Sequence, residues 1–290
     1  MNAPVGLTAD CAGVLRRAQP WLGTLVGIEA AGLPAAVLEN AVSRALRAVA
    51  RVHGTMGFHD PDSELSRLNR QAAAGPVTVS GHLWQVLRAA CRVSALTGGR
   101  FDVTVAPALV RWGYLPEHGT SAGAGAGSWR DIRFGERRTV HFRKPLLIDL
   151  GGIAKGYAVD LAIATLRRAG VPQACVNAGG DLRFYGPTAR QIAIRDPAAP
   201  GRVHLLAPRH AGAVASSSVH DTRRRHGRGW CSPLVDPISG RALGSGDSVT
   251  VLAGQCLYAD ALTKPAALDP AATTPALRRL RAQALRLPAP

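Results

Sequence analysis

Lysine is nearly missing from this chain. Of 35 basic residues only Lys144, Lys155 and Lys264 are lysines, so the net charge of +16 rests almost wholly on arginine. Arginine pairs with phosphate in bidentate fashion and would suit a nucleic acid. No recognition-helix, RNP or zinc-finger pattern accompanies it, so the surplus reads as a bias of composition and no nucleic-acid partner is expected. Cysteine is sparse as well: Cys11, Cys91, Cys175, Cys231 and Cys256 are scattered with no CxxC pair, which argues against a disulfide framework or a zinc site and for reduced thiols. Long apolar runs are also lacking. The N-terminus has no signal core of about seven to fifteen apolar residues, and no uninterrupted apolar stretch reaches the roughly 18 residues of a membrane-spanning helix. The cytoplasm is the expected compartment.

What is present suffices for a core. The chain has 290 residues, 47% of them hydrophobic, with a mean hydropathy of +0.04, which supports one large or two small globular domains. Residues 21–30, "WLGTLVGIEA", read as a strand, and "AAVLENAVSRALRAVARVHGTM" carries apolar residues at helical spacing. In "FHDPDSELSRLNRQ" Ser63 is a candidate helix cap, and a second helix, "GHLWQVLRAACRVSALTGG", stops at Gly98 and Gly99. "ACVNAGGDLRFYG", "RQIAIRDP" and "GDSVTVLAG" suggest further strands, and "TVHFRKPLLIDLGG" two short ones. "EHGTSAGAGAGSWRD" reads as a surface loop. Beyond Pro270, "AATTPALRRLRAQALRLPAP" reads as a solvated basic helix. Strands and helices interleave without a strict βαβ rhythm, which predicts an α+β fold: one mixed-sheet domain over residues 20–270, between an N-terminal tail of 1–19 and a basic C-terminal tail of 271–290.

Five stretches carry the candidate chemistry. "DLGGIAKGYAVD", from Asp149 to Asp160, sets an aspartate, a glycine pair and Lys155 ahead of a helix, the layout of a loop that receives an anion. "GGRFDVTVAP" places Arg100, Phe101 and Asp102 at a strand start, either as a close approach to a ligand or as a tight turn with a surface carboxylate. "VNAGGDLRFYG" reads first as a structural turn, and "SPLVDPISGRAL" as a β-hairpin about Asp236 and Gly240. In "LYADALTKPAALDP" the oxygens of Asp260 and Thr263 would share a helix face, which suits Mg²⁺ together with phosphate oxygens, or else Asp260 is a cap.

Taken in order, "LGT", "DPDSELSRLN", "GGRFDVTVAPALVRWGY", "IDLGGIAKGYAVD", "NAGGDLRFYG", "VDPISG" and "ADAL" resemble the ApbE-type FAD:protein FMN transferases over about residues 20–270. The resemblance implies an α+β fold, FAD as substrate and Mg²⁺ as cofactor. It also implies an acceptor protein, to a threonine of which FMN is joined by a phosphoester bond with release of AMP. Position by position, it implies flavin or nucleotide contacts at Leu22, His59, Arg100, Phe101, Asp102, Asp149, Lys155 and Leu234. Metal ligands would be Asp260, Thr263 and the Gly152 carbonyl, with Asp260 and Lys155 the catalytic groups. Two positions depart from the family pattern. Pro233 stands where a histidine is usual, leaving His220, His226 or metal and positioning alone to activate the threonine. Lys264 stands where a threonine is frequent, and an ammonium has no lone pair to offer a metal but can neutralise pyrophosphate. Water in place of the acceptor would make the same site an FAD pyrophosphatase, and loss of the chemistry would leave a flavin-binding protein.

Overall fold

The structure, a computed structural model, describes residues 13–117, 127–199, 201–219, 222–227, 229–243 and 246–288. The run expected as one strand at 21–30 is a hairpin of β1 (Val14–Trp21) and β2 (Thr24–Ala31). Its turn residues, Leu22 at φ 58° and Gly23 at φ 71°, are both left-handed. That turn follows the twist of the strands. A leucine in that conformation costs about 1 kcal/mol or more, and none of the usual Asn-Gly or Asp-Gly signals marked it.

Five more strands complete the sheet: β3 (Gln173–Ala178), β4 (Asp181–Arg190), β5 (Arg209–Ser217), β6 (Ser248–Ala253) and β7 (Gln283–Leu287). All seven stand in sequence order and every neighbouring pair is antiparallel. Side chains alternate across such a sheet. Val26 and Ile28 of β2, Val176 of β3, Ala215 of β5 and Val251 of β6 accordingly form one buried face, where burial of each larger aliphatic contributes roughly 1.5 to 3 kcal/mol.

Among the described residues seven helices accompany the sheet: α1 (Ala35–Met56), α2 (Glu64–Gln71), α3 (Gly81–Leu96), α4 (Ala106–Arg111), α5 (Ala154–Arg168), α6 (Cys256–Leu268) and α7 (Pro270–Arg279). α1, α5 and α6 cover the apolar face. Ser63 caps α2 by accepting from Ser66 N at 3.1 Å, as the sequence suggested. Among the described residues no helix is long and apolar enough to cross a membrane.

Three expectations are corrected. The basic tail is helical only as far as Arg279 and is packed rather than solvated: Asp269 caps α7, Thr273 and Ala276 are buried, and the alternating Leu285 and Leu287 lie in β7 beside β6. The folded unit therefore runs past Pro270, and β1 likewise draws residues 14–19 into the sheet. After Phe101 there is no strand, because Asp102 caps a 3-10 turn at Val103–Val105 and Pro107, in the first turn of α4, continues it as helix. In the low-complexity stretch, 118–126 lie outside the described residues, while Ser128 and Asp131 close a capping box around a second 3-10 turn.

Candidate active site

The loop that ends in α5 is shaped by its own carboxylate. Gly151 N donates to Asp149 Oδ2 at 3.1 Å, and Asp149 N donates to the Val103 carbonyl at 2.8 Å. From there α5 runs against α6 at backbone distance. A Cβ on Gly156 would lie 2.3 Å from the Cys256 carbonyl oxygen, so only glycine permits the approach. The approach lets Gly156 N donate to Asp260 Oδ2 at 3.1 Å. One helical turn further, Asp160 accepts from Cys256 N and Leu257 N, both at 2.9 Å, and from Arg183 Nη1 of β4 at 2.7 Å. α6 thus receives its N-terminal cap from α5 rather than from its own Gln255.

These elements surround a cavity of about 430 Å³, whose lining includes Phe101, Asp102, Asp149, Gly152, Lys155, Asp181, Ser218, Pro233, Leu234, Asp260 and Lys264. Two carboxylates and two ammonium groups meet in it. Lys155 Nζ lies 2.8 Å from Asp181 Oδ2 and 3.5 Å from Asp260 Oδ2. Lys264 Nζ donates to the Asp260 carbonyl at 2.8 Å and also contacts Asp260 Oδ1. Burial disfavours the Lys155 ammonium, but Asp260 and Asp181 outweigh it and hold the group charged well above the ordinary lysine range. Burial likewise opposes ionisation of Asp260, and Lys155 and Lys264 reverse this and lower its pKa. For Asp181 burial wins, reinforced by the Asp260 charge, and its pKa is pushed up to about 6. Burial also raises Asp149, against the Gly151 hydrogen bond and the charges of His59 and Lys155.

Of the residues singled out by sequence, Phe101, Asp102, Asp149, Gly152, Lys155, Leu234 and Asp260 line this cavity, while Leu22, His59, Arg100 and Thr263 do not. Leu22 lies in the β1–β2 turn. Thr24 of that turn packs on cavity-lining Gly179, where a Cβ would stand 2.5 Å from Thr24 Oγ1. "LGT" and "NAGG" are therefore one contact. His59 is exposed, and its charge bears on Asp149. Arg100 spans Asp236 and Asp269, each at 3.2 Å. Asp102 accepts from Thr104 N and Thr104 Oγ1, both at 2.9 Å, and from Trp129 N at 3.0 Å, so it organises the adjoining turns.

Thr263 Oγ1 donates to the Asp260 carbonyl and pairs with Ser217 Oγ, both at 2.7 Å. His226 is exposed on a two-stranded ribbon and does not line the cavity, and His220 lies outside the described residues. The sequence reading missed Asp181 and Ser218. Asp181 directly follows the glycine pair of "NAGGD". Ser218 ends the run Ser216–Ser218, and its buried Oγ has no hydrogen-bond partner among the described residues.

Comparison with known proteins gives the family of the chain. The chain is 29% identical over 263 residues to a Vibrio cholerae protein named FAD:protein FMN transferase, an alignment that spans 84% of this chain and 78% of that one. A Rhodobacter capsulatus protein of the same name is 30% identical over 254 residues, 82% of this chain and 48% of that one. The solved ApbE protein of Thermotoga maritima superposes with a TM-score of 0.84 at 25% identity, covering 95% of this chain and 94% of the other. The flavin transferase ApbE from Vibrio cholerae gives 0.80 at 26%, covering 95% and 93%. Residues 22–285, from the β1–β2 turn to the final strand of the sheet, match the ApbE family, and the chain belongs to it.

Proposed function

We propose that this chain is an FAD:protein FMN transferase, which moves FMN from FAD to a threonine of an acceptor protein and releases AMP. The observation that carries this reading is the pair of ammonium groups, Lys155 and Lys264, held by buried carboxylates in the 430 Å³ cavity. FAD's pyrophosphate carries about two negative charges, and cations fixed in a partly dry site stabilise the charge that builds up on the leaving phosphate. Phe101 and Leu234 supply apolar wall, and the Ser218 hydroxyl, unpartnered among the described residues, supplies a hydrogen-bond donor. In the transfer the threonine oxygen bonds to the FMN-side phosphorus. The bond from that phosphorus to the bridging oxygen breaks, and its electron pair leaves with AMP. The hydroxyl proton passes to Asp181, which is ionised above its pKa of about 6 and stands in a cavity whose histidine slot is filled by Pro233.

A divalent cation does not fit two of the three oxygens that the resemblance implies for it, those of Asp260 and Thr263. Asp260 Oδ1 is in contact with Lys264, and Oδ2 accepts from Gly156 N and faces Lys155. Thr263 Oγ1 is engaged by Asp260 and Ser217. A Mg²⁺ ion brought to Asp260 with both ammonium groups in place would meet about 8 kcal/mol of repulsion from each at 4 Å and an effective dielectric of 20.

The test is to incubate the purified chain with FAD and a flavinylation-competent acceptor. A mass gain of one FMN on the acceptor with equimolar AMP supports the reading. AMP without acceptor modification would make the chain a pyrophosphatase, and FAD binding without AMP a flavin-binding protein.

A further inference from the structure

We infer that the Lys264 ammonium occupies the place of a divalent cation, so that this chain binds FAD and transfers FMN with no divalent cation required. The inference rests on the transferase reading above.

Three contacts place the group. Lys264 lies one turn after Asp260 on α6, and its Nζ reaches back to both the Asp260 carbonyl, at 2.8 Å, and Asp260 Oδ1. Its stem lies along the glycine of the α5 loop: a Cβ built on Gly152 would stand 3.4 Å from Lys264 Cε and 3.9 Å from Cδ. The side chain therefore fills the space between Gly152 and Asp260, the two sides from which a bound cation would be held. Thr263, the remaining oxygen of the expected set, turns instead to Ser217 and to the Asp260 carbonyl. The ammonium group is also presented to the cavity, since Lys264 and Lys155 both line it.

An ammonium cannot exchange into solvent as a metal ion does. It offers three donors, of which the two contacts to Asp260 use two. The third has no partner among the described residues and can meet a pyrophosphate oxygen, a charge-assisted hydrogen bond that strengthens as negative charge gathers on the departing AMP. In that step the P–O bond to the threonine forms, the P–O bond to AMP breaks with its electron pair on AMP, and the hydroxyl proton goes to Asp181. Lys264 gives up no proton and is unchanged at the end.

The experiment compares FAD affinity, followed by flavin fluorescence, and AMP release with acceptor, in EDTA and in millimolar Mg²⁺. The expected result is that wild-type affinity and turnover agree within about twofold in the two buffers, because no interaction worth a charged hydrogen bond is lost. Lys264→Thr should bind FAD about tenfold or more weakly in EDTA, the loss of one such bond, and recover when Mg²⁺ is added. Lys264→Arg, which keeps the charge, should remain indifferent to the cation. Mn²⁺ binding, followed by electron paramagnetic resonance without FAD, should appear in Lys264→Thr and not in the wild type. Wild-type binding or turnover that collapses in EDTA and returns with Mg²⁺ would overturn the inference and leave the transferase reading standing. A Lys264→Thr protein that folds, as judged by its circular dichroism, yet shows no cation dependence would overturn it too. FAD left unbound in both buffers by the wild type would overturn the transferase reading and the inference together.

Discussion

Replacing Lys155 by methionine keeps most of the side-chain volume and removes the charge between Asp181 and Asp260. At an effective dielectric of 20 the ammonium attracts the two carboxylates by about 6 and about 5 kcal/mol at its distances of 2.8 and 3.5 Å. The net loss is smaller, because Asp260 keeps Lys264 and Gly156 N, whereas Asp181 keeps only the lesser pull of Lys264 and takes up a proton more readily. Its folded pKa of about 6 stands above the ordinary 3.8. The folded state thus binds the extra proton, and the contribution of Asp181 to stability is full below pH 3.8 and lost as pH rises through 6. At pH 8 the wild type has lost about 3 kcal/mol by this route, from 1.36 kcal/mol per pKa unit. Without Lys155 the pKa rises further, and if Asp181 stays neutral at pH 8 the loss becomes about 5.7 kcal/mol by the same arithmetic. The Asp181 part of the destabilisation of Lys155→Met is therefore near zero at pH 5 and up to about 3 kcal/mol at pH 8, added to a pH-independent part from Asp260. Urea unfolding of both proteins at the two pH values measures it. An equal loss of stability at pH 5 and pH 8 would refute the assignment of Lys155 as the partner that keeps Asp181 ionised.

FMN transfer by the wild type should fall below pH 6 along a single-proton limb, and Asp181→Asn should abolish that limb along with most of the rate. A limb that persists in Asp181→Asn would remove it as proton acceptor. Gly156→Ala should separate α5 from α6 and destabilise by about 1 to 3 kcal/mol in a thermal melt, with FAD affinity falling alongside. An unchanged melting temperature would mean that the helices yield without strain. Arg100→Ala removes two ion pairs, to Asp236 and Asp269, whose side chains are 22–28% exposed, so stability should fall by about 1 kcal/mol and FAD affinity stay within about twofold. A tenfold loss in a fluorescence titration would put the guanidinium on the ligand.

Much of the fold was legible where a signal was long and local. α1 and α3 were marked by apolar periodicity, α2 by its Ser63 cap, and the hairpin at Asp236 by its turn residues. The sequence misled where tertiary pairing overrode a short pattern. β7 is five residues long, and its two leucines alternate within an arginine-rich stretch that reads as a helix face. Leu22 at positive φ carries no turn signature, and "VTV" has strand propensity yet forms a 3-10 turn because Asp102 caps it. In the site, the glycines and Lys155 were readable as a loop at a helix start. The meeting of Lys155 with Asp181 and Asp260 was not, since each contact joins residues far apart in sequence on different elements. Arg100 resembled a ligand contact by its neighbours, and only the positions of Asp236 and Asp269 reveal what it holds.

Asp160 has a consequence for how the molecule comes apart. Its single carboxylate ties the first two amides of α6 and the β4 guanidinium to α5, while Gly156 N ties α5 back to Asp260. A fluctuation that frays the start of α6 must release all of these together. The amides of Gly156, Cys256 and Leu257 thus belong to one cooperative opening unit, whose hydrogen exchange with solvent follows a common opening free energy rather than three local ones. On heating or in denaturant, the binding surface is then lost as a block, and a protein that retains it at all retains the complete arrangement of its charges.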